Sequence, residues 1–246
     1  HLNHYSIDVF RERLHGQTPP RLRELSLVKL QNDQFDVWFA PDDGGAMVRF
    51  KDRRNGRELI PPYPHLAAST HNFLEWREHG RRLLPLRPRF KVVAHTPQRL
   101  ELEAALENGL LFSRVATLAD NGHGLLITWM LFNPTSDTCT PDLLIRPSFR
   151  TSNRNVWTNS TSGWRRAHAN AALKRGAEPE FALRLRNPSQ TLIADYAGAA
   201  FVPIEVDWED GVVVLGARYS RAPLDPGESR TITAEFRLTA THPGRL

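Results

Sequence analysis

From residue 25 onward, hydrophobic and polar residues alternate with a period close to two, and turn residues recur at short intervals. Such alternation predicts β-strands that bury one face. The predicted strands are 26–31, 35–40, 46–51, 89–95, 99–106, 110–118, 124–133, 142–151, 181–187, 191–195, 201–207, 212–220 and 229–239. A chain with this many short antiparallel strands is expected to be all-β, with two large sheets packed face to face.

The segment 110–149 carries the clearest strand signals. Asn121-Gly122 is typical of a tight hairpin turn between two strands. The second strand ends at Asn133-Pro134, and a third strand is expected to break at Arg146-Pro147 because proline cannot donate to a sheet ladder. The segment therefore predicts a β-meander.

The first residues of the chain have a different pattern. Ser6 is a plausible N-cap, Ile7, Phe10 and Leu14 share one helical face, and Pro19-Pro20 ends the helix. We therefore expect a short helix and linker over 1–23, followed by one domain over 24–246. Because the sequence begins with His rather than Met, we also expect it to be a piece of a longer protein that carries other domains.

Composition excludes several classes. The net charge of +5 arises from scattered arginines rather than a basic stripe, so no nucleic-acid partner is expected. Cys139 is the single cysteine, so no disulfide or thiolate metal cluster can form within the chain. The spacing of the histidines at 71 and 79 matches no standard metal site. No apolar run is long enough for a membrane helix. No cofactor, metal or membrane partner is therefore expected, and the compartment stays open.

Four motifs occur in an order that resembles a known family. They are residues 30–48, where a strand passes through a glycine turn into a second strand; the hairpin DRRNGREL at 52–59; and two late turns, FNPTSD at 132–137 and LDPGES at 224–229. This order resembles galactose mutarotase-like β-supersandwich domains, over about residues 24–240. The resemblance implies an antiparallel two-sheet supersandwich that faces a sugar, as in aldose epimerases, in non-catalytic domains of glycosidases and in some polysaccharide lyases.

The resemblance also implies a catalytic pair. In aldose epimerases a His-containing stretch follows the Asn-x-Thr/Ser strand and protonates the ring oxygen; here the matching stretch is Arg146-Pro147-Ser148-Phe149. Arginine keeps its proton, although its planar fork can still hold a hydroxyl or carboxylate. The family's late catalytic glutamate has several candidates, and the catalytic residues stay unassigned. The candidates are Glu178, Glu180, Glu205 and Glu209.

Two less regular stretches, 61–88 and 157–180, are predicted to be loops that build a site, because they are rich in His, Asn, Trp and Arg. Pyranose rings pack on aromatic faces, and their hydroxyls need polar partners. Arg146 and Arg150 lie four apart on a predicted strand and should share a face. The ligand-binding candidates are His71, Asn72, Glu75, Trp76, His79, Arg146, Arg150, Trp157 and Trp164.

For each candidate a structural role competes with a binding role. The histidines can be solvated loop residues, the tryptophans can pack in the core, and the arginines can form surface ion pairs. A glycosidase pair at Glu75 and Glu78 and a lyase site are weaker alternatives. The main hypothesis is a carbohydrate-binding or accessory domain. The alternatives are an aldose epimerase acting on a free or acidic sugar, and a structural packing domain without a ligand.

Overall fold

The computed structural model describes residues 25–61, 74–78, 81–86, 88–119, 124–151, 156–159, 164–166, 180–184, 190–197, 201–209, 212–219 and 222–240. These residues form β-strands and turns, so the all-β prediction is confirmed, whereas the predicted helix at 7–14 lies outside the described residues. None of the described residues belongs to a helix long and apolar enough to cross a membrane.

The strands are all paired antiparallel. Their bounds are β1 (Val28–Gln31), β2 (Phe35–Ala40), β3 (Ala46–Asp52), β4 (Arg57–Glu58), β5 (Leu74–Glu78), β6 (Arg81–Leu86), β7 (Lys91–His95), β8 (Arg99–Ala105), β9 (Leu111–Leu118), β10 (Gly124–Phe132), β11 (Leu143–Ile145), β12 (Ser148–Arg150), β13 (Val156–Thr158), β14 (Arg165–Arg166), β15 (Glu180–Arg184), β16 (Thr191–Ala197), β17 (Phe201–Glu209), β18 (Val212–Tyr219) and β19 (Ser229–Thr239).

These strands form three sheets. A four-stranded sheet has the order β1-β2-β3-β4, and a nine-stranded sheet has the order β14-β13-β15-β16-β19-β10-β9-β8-β7. In the six-stranded sheet, β18 pairs with β17 on one side and with β11 and β12 on the other, and β5 and β6 follow β11. Phe149 of the six-stranded sheet packs on Phe236 of the nine-stranded sheet, with ring centroids 5.0 Å apart. The two large sheets thus face each other across one hydrophobic core.

The alternation of the sequence explains why most strands were predictable. Along β9 every second residue is buried, and the predicted bounds of β2 and β19 agree with the structure. The prediction that 61–88 is a loop is wrong for its second half, because β5 and β6 form a hairpin there. The predicted loop at 157–180 likewise contains part of β13 and all of β14.

The two late motifs lie against each other. Asn133 is fully buried, and its side-chain amide donates to the carbonyl oxygens of Asp137 (2.8 Å) and Leu224 (2.9 Å). Its Oδ1 accepts from the backbone N–H (3.0 Å) and the hydroxyl (2.7 Å) of Thr135. The backbone of Gly227 donates to the Asn133 carbonyl at 2.8 Å. Asn133 of the motif at 132–137 therefore joins this turn to the turn at 224–229, which is a structural role.

Gly45, in the turn between β2 and β3, is expected to tolerate no side chain. Its φ is +58°, and an added Cβ would lie 2.8 Å from Cδ2 of the buried Phe90 ring. Gly45→Ala should lower the free energy of unfolding by about 2–4 kcal/mol, since left-handed strain and overpacking add. Urea unfolding measures the loss.

Gly227→Ala is the matched control for Gly45→Ala. Gly227 has a φ of +77° but no atom within 4 Å of an added Cβ, so only the strain of about 1–2 kcal/mol is expected. Equal losses in the two variants would contradict the close approach of Phe90 to Gly45.

Candidate functional site

The six-stranded sheet has a second buried face, opposite the core. In β18 the residues Val213, Leu215, Ala217 and Tyr219 belong to the core cluster. The alternate residues, among them Val212 and Val214, therefore lie on the other side of the sheet. We call this side the outer face. Val212 and Val214 are only 5% and 2% exposed, so the outer face is covered rather than open to water.

Strands β11 and β12 run along β18 in one continuous register. Ile145 lies opposite Ala217, and Ser148 lies opposite Val214. Between them, the backbone N–H of Leu215 donates to the carbonyl of Pro147 at 2.9 Å. The ladder is interrupted at Arg146-Pro147, as expected, but the register does not shift. It follows that Arg146 lies opposite Gly216.

The segment 146–150, which runs along one edge of β18, places three polar residues on the outer face. Arg146, Ser148 and Arg150 lie two residues apart along a strand in which Ser148 pairs with Val214 and Arg150 with Val212. The expectation that Arg146 and Arg150 share a face therefore agrees with the register. Arg146 is 6% exposed and Arg150 is exposed, so the outer face runs along this strand from a covered end to an end in contact with water.

Three acidic residues lie at the matching positions on the other side of β18. In β17, Glu205 pairs with Gly216, Asp207 with Val214 and Glu209 with Val212. Directly opposed residues of paired strands share a face, so the acidic positions belong to the outer face. The register thus defines three rows across β18, which are Arg146–Gly216–Glu205, Ser148–Val214–Asp207 and Arg150–Val212–Glu209.

The row through Gly216 differs from the other two. Valine side chains stand between the outer positions in the rows through Val214 and Val212, whereas Gly216 carries none. The Cα atoms of Arg146 and Glu205 are separated by two strand spacings, roughly 10 Å. The positions of Arg146 and Glu205 thus lie on either side of a residue without a side chain, at the covered end of the outer face.

Local contacts fix the surroundings of Arg146. The fully buried hydroxyl of Ser148 donates to the carbonyl oxygen of Arg146 at 3.1 Å. One row away, the guanidinium of Arg218 donates to both carboxylate oxygens of Asp142 at 2.6 Å. This bidentate pair neutralises its two charges within the sheet.

The ligand-binding candidates predicted from the sequence lie in different parts of the structure. Besides the two arginines, Glu75 belongs to the outer face, because it pairs with Leu144, which in turn pairs with Arg218. Trp76 pairs with Leu143, a residue of the core cluster. Trp157 and Trp164 are half-buried and lie in and beside the edge strands of the nine-stranded sheet, so sheet pairing does not bring them to Arg146. His71, Asn72 and His79 lie outside the described residues.

The structure also separates the glutamates that the sequence left open. Glu205 and Glu209 belong to the outer face of the six-stranded sheet. Glu180 pairs with Asp195 in the nine-stranded sheet, and Glu178 lies outside the described residues. Ser148, Asp207 and Gly216 were missed as site residues, because only the pairing of β17, β18 and β12 brings them together. In the described part of the chain, no group of three His, Cys, Asp or Glu side chains could hold a metal ion.

Solved structures share this arrangement of sheets. A galactose mutarotase-like protein from Clostridium acetobutylicum matches with a TM-score of 0.63 and 10% identity, over 90% of this chain and 97% of its own. A galactose mutarotase-like protein from Lactobacillus casei matches with a TM-score of 0.61 and 10% identity, over 87% of this chain and 100% of its own. The fold is that of the galactose mutarotase-like proteins.

Another neighbour with the galactose mutarotase-like fold is an Escherichia coli K12 protein whose proposed activity is that of an aldose 1-epimerase. It has a TM-score of 0.63 and 14% identity, over 88% of this chain and 100% of its own. No protein-family model and no curated protein sequence matches the chain. At these identities the likeness concerns the fold, so a function has to be argued from the outer face itself.

Proposed function

We propose that this chain binds a monosaccharide on the outer face of the six-stranded sheet and catalyses exchange between its anomers, as an aldose epimerase-like isomerase. The observation that carries the proposal is the row Arg146–Gly216–Glu205 at the covered end of the outer face. The galactose mutarotase-like fold supports it, since neighbours with this fold have names that refer to mutarotases and aldose epimerases.

Anomer exchange requires one proton to leave the sugar and another to join it. In the proposed reaction Glu205 takes the proton of the C1 hydroxyl, the bond between C1 and the ring oxygen breaks, and a C1 aldehyde forms. The ring oxygen takes a proton from water. Rotation about the C1–C2 bond, followed by the reverse steps, gives the other anomer. A positioned carboxylate of this kind contributes about 10²–10⁴-fold to the rate.

Arg146 has a different role from a proton donor. A guanidinium remains protonated at neutral pH, so it does not pass its proton to the sugar. It donates charge-assisted hydrogen bonds, which stabilise the negative charge that develops on the ring oxygen as the bond to C1 breaks. Because the site is covered, these hydrogen bonds act in a region of low dielectric constant, where they are stronger than in water.

Arg146 also favours a second candidate function, sugar binding without turnover. A site in which arginine holds the ring oxygen binds a neutral or acidic sugar even when nothing supplies a proton quickly. In that case the chain serves as a carbohydrate-binding or accessory domain of a larger carbohydrate-active protein. The two functions differ in one property: only the isomerase accelerates anomer exchange.

Arg146→Lys tests the position of the ligand in both functions. The lysine keeps the charge but loses the planar fork, so sugar affinity should fall about tenfold or more. Saturation-transfer NMR with glucose, galactose, glucuronate and galacturonate identifies the bound sugar, and calorimetry gives its dissociation constant.

Arg99→Lys is the matched control for Arg146→Lys. Arg99 lies on β8 of the nine-stranded sheet, where it is exposed and paired with Glu101. Its replacement should leave sugar affinity unchanged. Unchanged affinity in a folded Arg146→Lys variant would place the ligand elsewhere.

A further inference from the structure

A buried arginine lies between the two large sheets, on the core side and away from the outer face. Arg114 of β9 is 4% exposed, and its Nη1 donates to the carbonyl oxygen of Gly45. Its guanidinium stands over the Phe90 ring, 5.9 Å from the centroid. Arg114 has no carboxylate partner among the described side chains.

The charge of Arg114 is retained in this environment. Burial lowers the pKa of Arg114 to about 10, and the neighbouring Tyr219 slightly opposes the change. The guanidinium is therefore still protonated at neutral pH. A buried charge without an opposite charge is among the most costly features that a core can contain, and one carbonyl oxygen does not neutralise it.

Two further buried donors, the Trp129 indole and the Tyr219 hydroxyl, lie beside Arg114. Trp129 of β10 is its direct cross-strand partner, and both side chains are buried on the core side, so their Cβ atoms are about 5 Å apart. Tyr219 approaches from the opposite sheet, where its ring meets Phe112 at 6.4 Å, and Phe112 precedes Arg114 by two residues on the same face.

The three groups have the same unmet requirement. Arg114 Nε, Trp129 Nε1 and the Tyr219 hydroxyl are all buried, and none has a hydrogen-bond partner within the described part of the chain. Arginine and the indole are donors only, so the pair cannot satisfy each other. The missing acceptor calls for a small ligand that accepts several hydrogen bonds. The uncompensated positive charge calls for a ligand that is negative.

We propose that a small monovalent anion, of the size and charge of a halide, binds between the two sheets at Arg114, Trp129 and Tyr219. The anion accepts from the three unpaired donors and neutralises the guanidinium. It stabilises the packing of β9 and β10 of one sheet against β18 of the other. The site is separate from the outer face, so it does not depend on the proposed sugar reaction.

Halide-dependent stability tests the anion site. Sodium bromide is titrated into the chloride-free protein, with sodium methanesulfonate at equal ionic strength as the reference salt. Bromide should raise the Tm along a saturable curve, since a ligand that binds only the native state stabilises it. Methanesulfonate, which is larger, should give no saturable rise. Equal responses to the two salts would overturn the proposal.

Variants and a crystal locate the anion. Arg114→Met should abolish the saturable bromide response, whereas Arg99→Met, which removes an exposed arginine of β8, should keep it. Trp129→Phe should weaken bromide binding by at least about tenfold, since it removes one hydrogen bond to a charged group. A crystal grown in bromide should show anomalous density beside Arg114 Nε.

The wild-type crystal decides the question even if Arg114→Met does not fold. A neutral water, a protein carboxylate or no anomalous density beside Arg114 Nε would overturn the proposal. So would an undiminished bromide response in Arg114→Met or unchanged bromide affinity in Trp129→Phe.

Discussion

Asn133→Ala is expected to lower the free energy of unfolding by about 4 kcal/mol. The fully buried side chain makes four hydrogen bonds, two as a donor to the carbonyls of Asp137 and Leu224 and two as an acceptor from Thr135. Alanine removes all four hydrogen bonds, at about 0.5–1.5 kcal/mol each, and takes this donor away from the carbonyl of the buried Leu224. Urea unfolding followed by tryptophan fluorescence measures the change.

Asn108→Ala provides the same substitution in an exposed turn. There the side chain accepts one hydrogen bond, from the backbone N–H of Leu110 at 3.3 Å, so a loss of about 0.5 kcal/mol is expected. Asn133→Asp should also be strongly destabilising, because its carboxylate would face two carbonyl oxygens. A loss at Asn133 no larger than that at Asn108 would show that Asn133 does not join the two turns.

Glu205→Gln is expected to lower kcat/KM for anomer exchange by about 10²–10⁴-fold, the contribution of a positioned general base. Sugar affinity should change little, since glutamine keeps the size and hydrogen-bonding capacity of the side chain. Nuclear magnetic resonance exchange spectroscopy measures the rate of anomer interconversion at equilibrium.

Two other glutamates are matched controls for Glu205. Glu209 belongs to the same face but lies in the row through Val212, at the end where Arg150 is exposed. Glu180 lies in the nine-stranded sheet. Glu209→Gln and Glu180→Gln should each keep the exchange rate within a few-fold of wild type. A large loss in either, with Glu205→Gln active, would assign the base to another residue.

The fold was predictable to the extent that its strands bury one face against the core. Strands β9 and β10 were both predictable, because residues with strand propensity stand on either side of the Asn121-Gly122 turn signal. The hairpin of β5 and β6 has charged residues clustered around its turn, at 77–78 and 81–82, and lacks a clear period of two. A local pattern therefore could not identify it as sheet.

The candidate site was less predictable, because its residues come together through pairing between distant parts of the chain. The resemblance located Arg146, and the strand period placed Arg150 on the same face. No local signal distinguishes Glu205 from the other late glutamates. That distinction depends on the register of β17 on β18, which is set by packing of the whole sheet. Asn133, recognised as part of a family motif, proves to be structural.

The most direct test of the proposed isomerase is the rate of anomer exchange in glucose, galactose, glucuronate and galacturonate, with wild-type protein and with Glu205→Gln of equal Tm. We expect wild type to accelerate the exchange of at least one of these sugars and Glu205→Gln to lose that acceleration while still binding the sugar. Saturable sugar binding without acceleration by wild type would contradict the isomerase and identify a binding domain. Absence of both binding and acceleration would identify a structural domain.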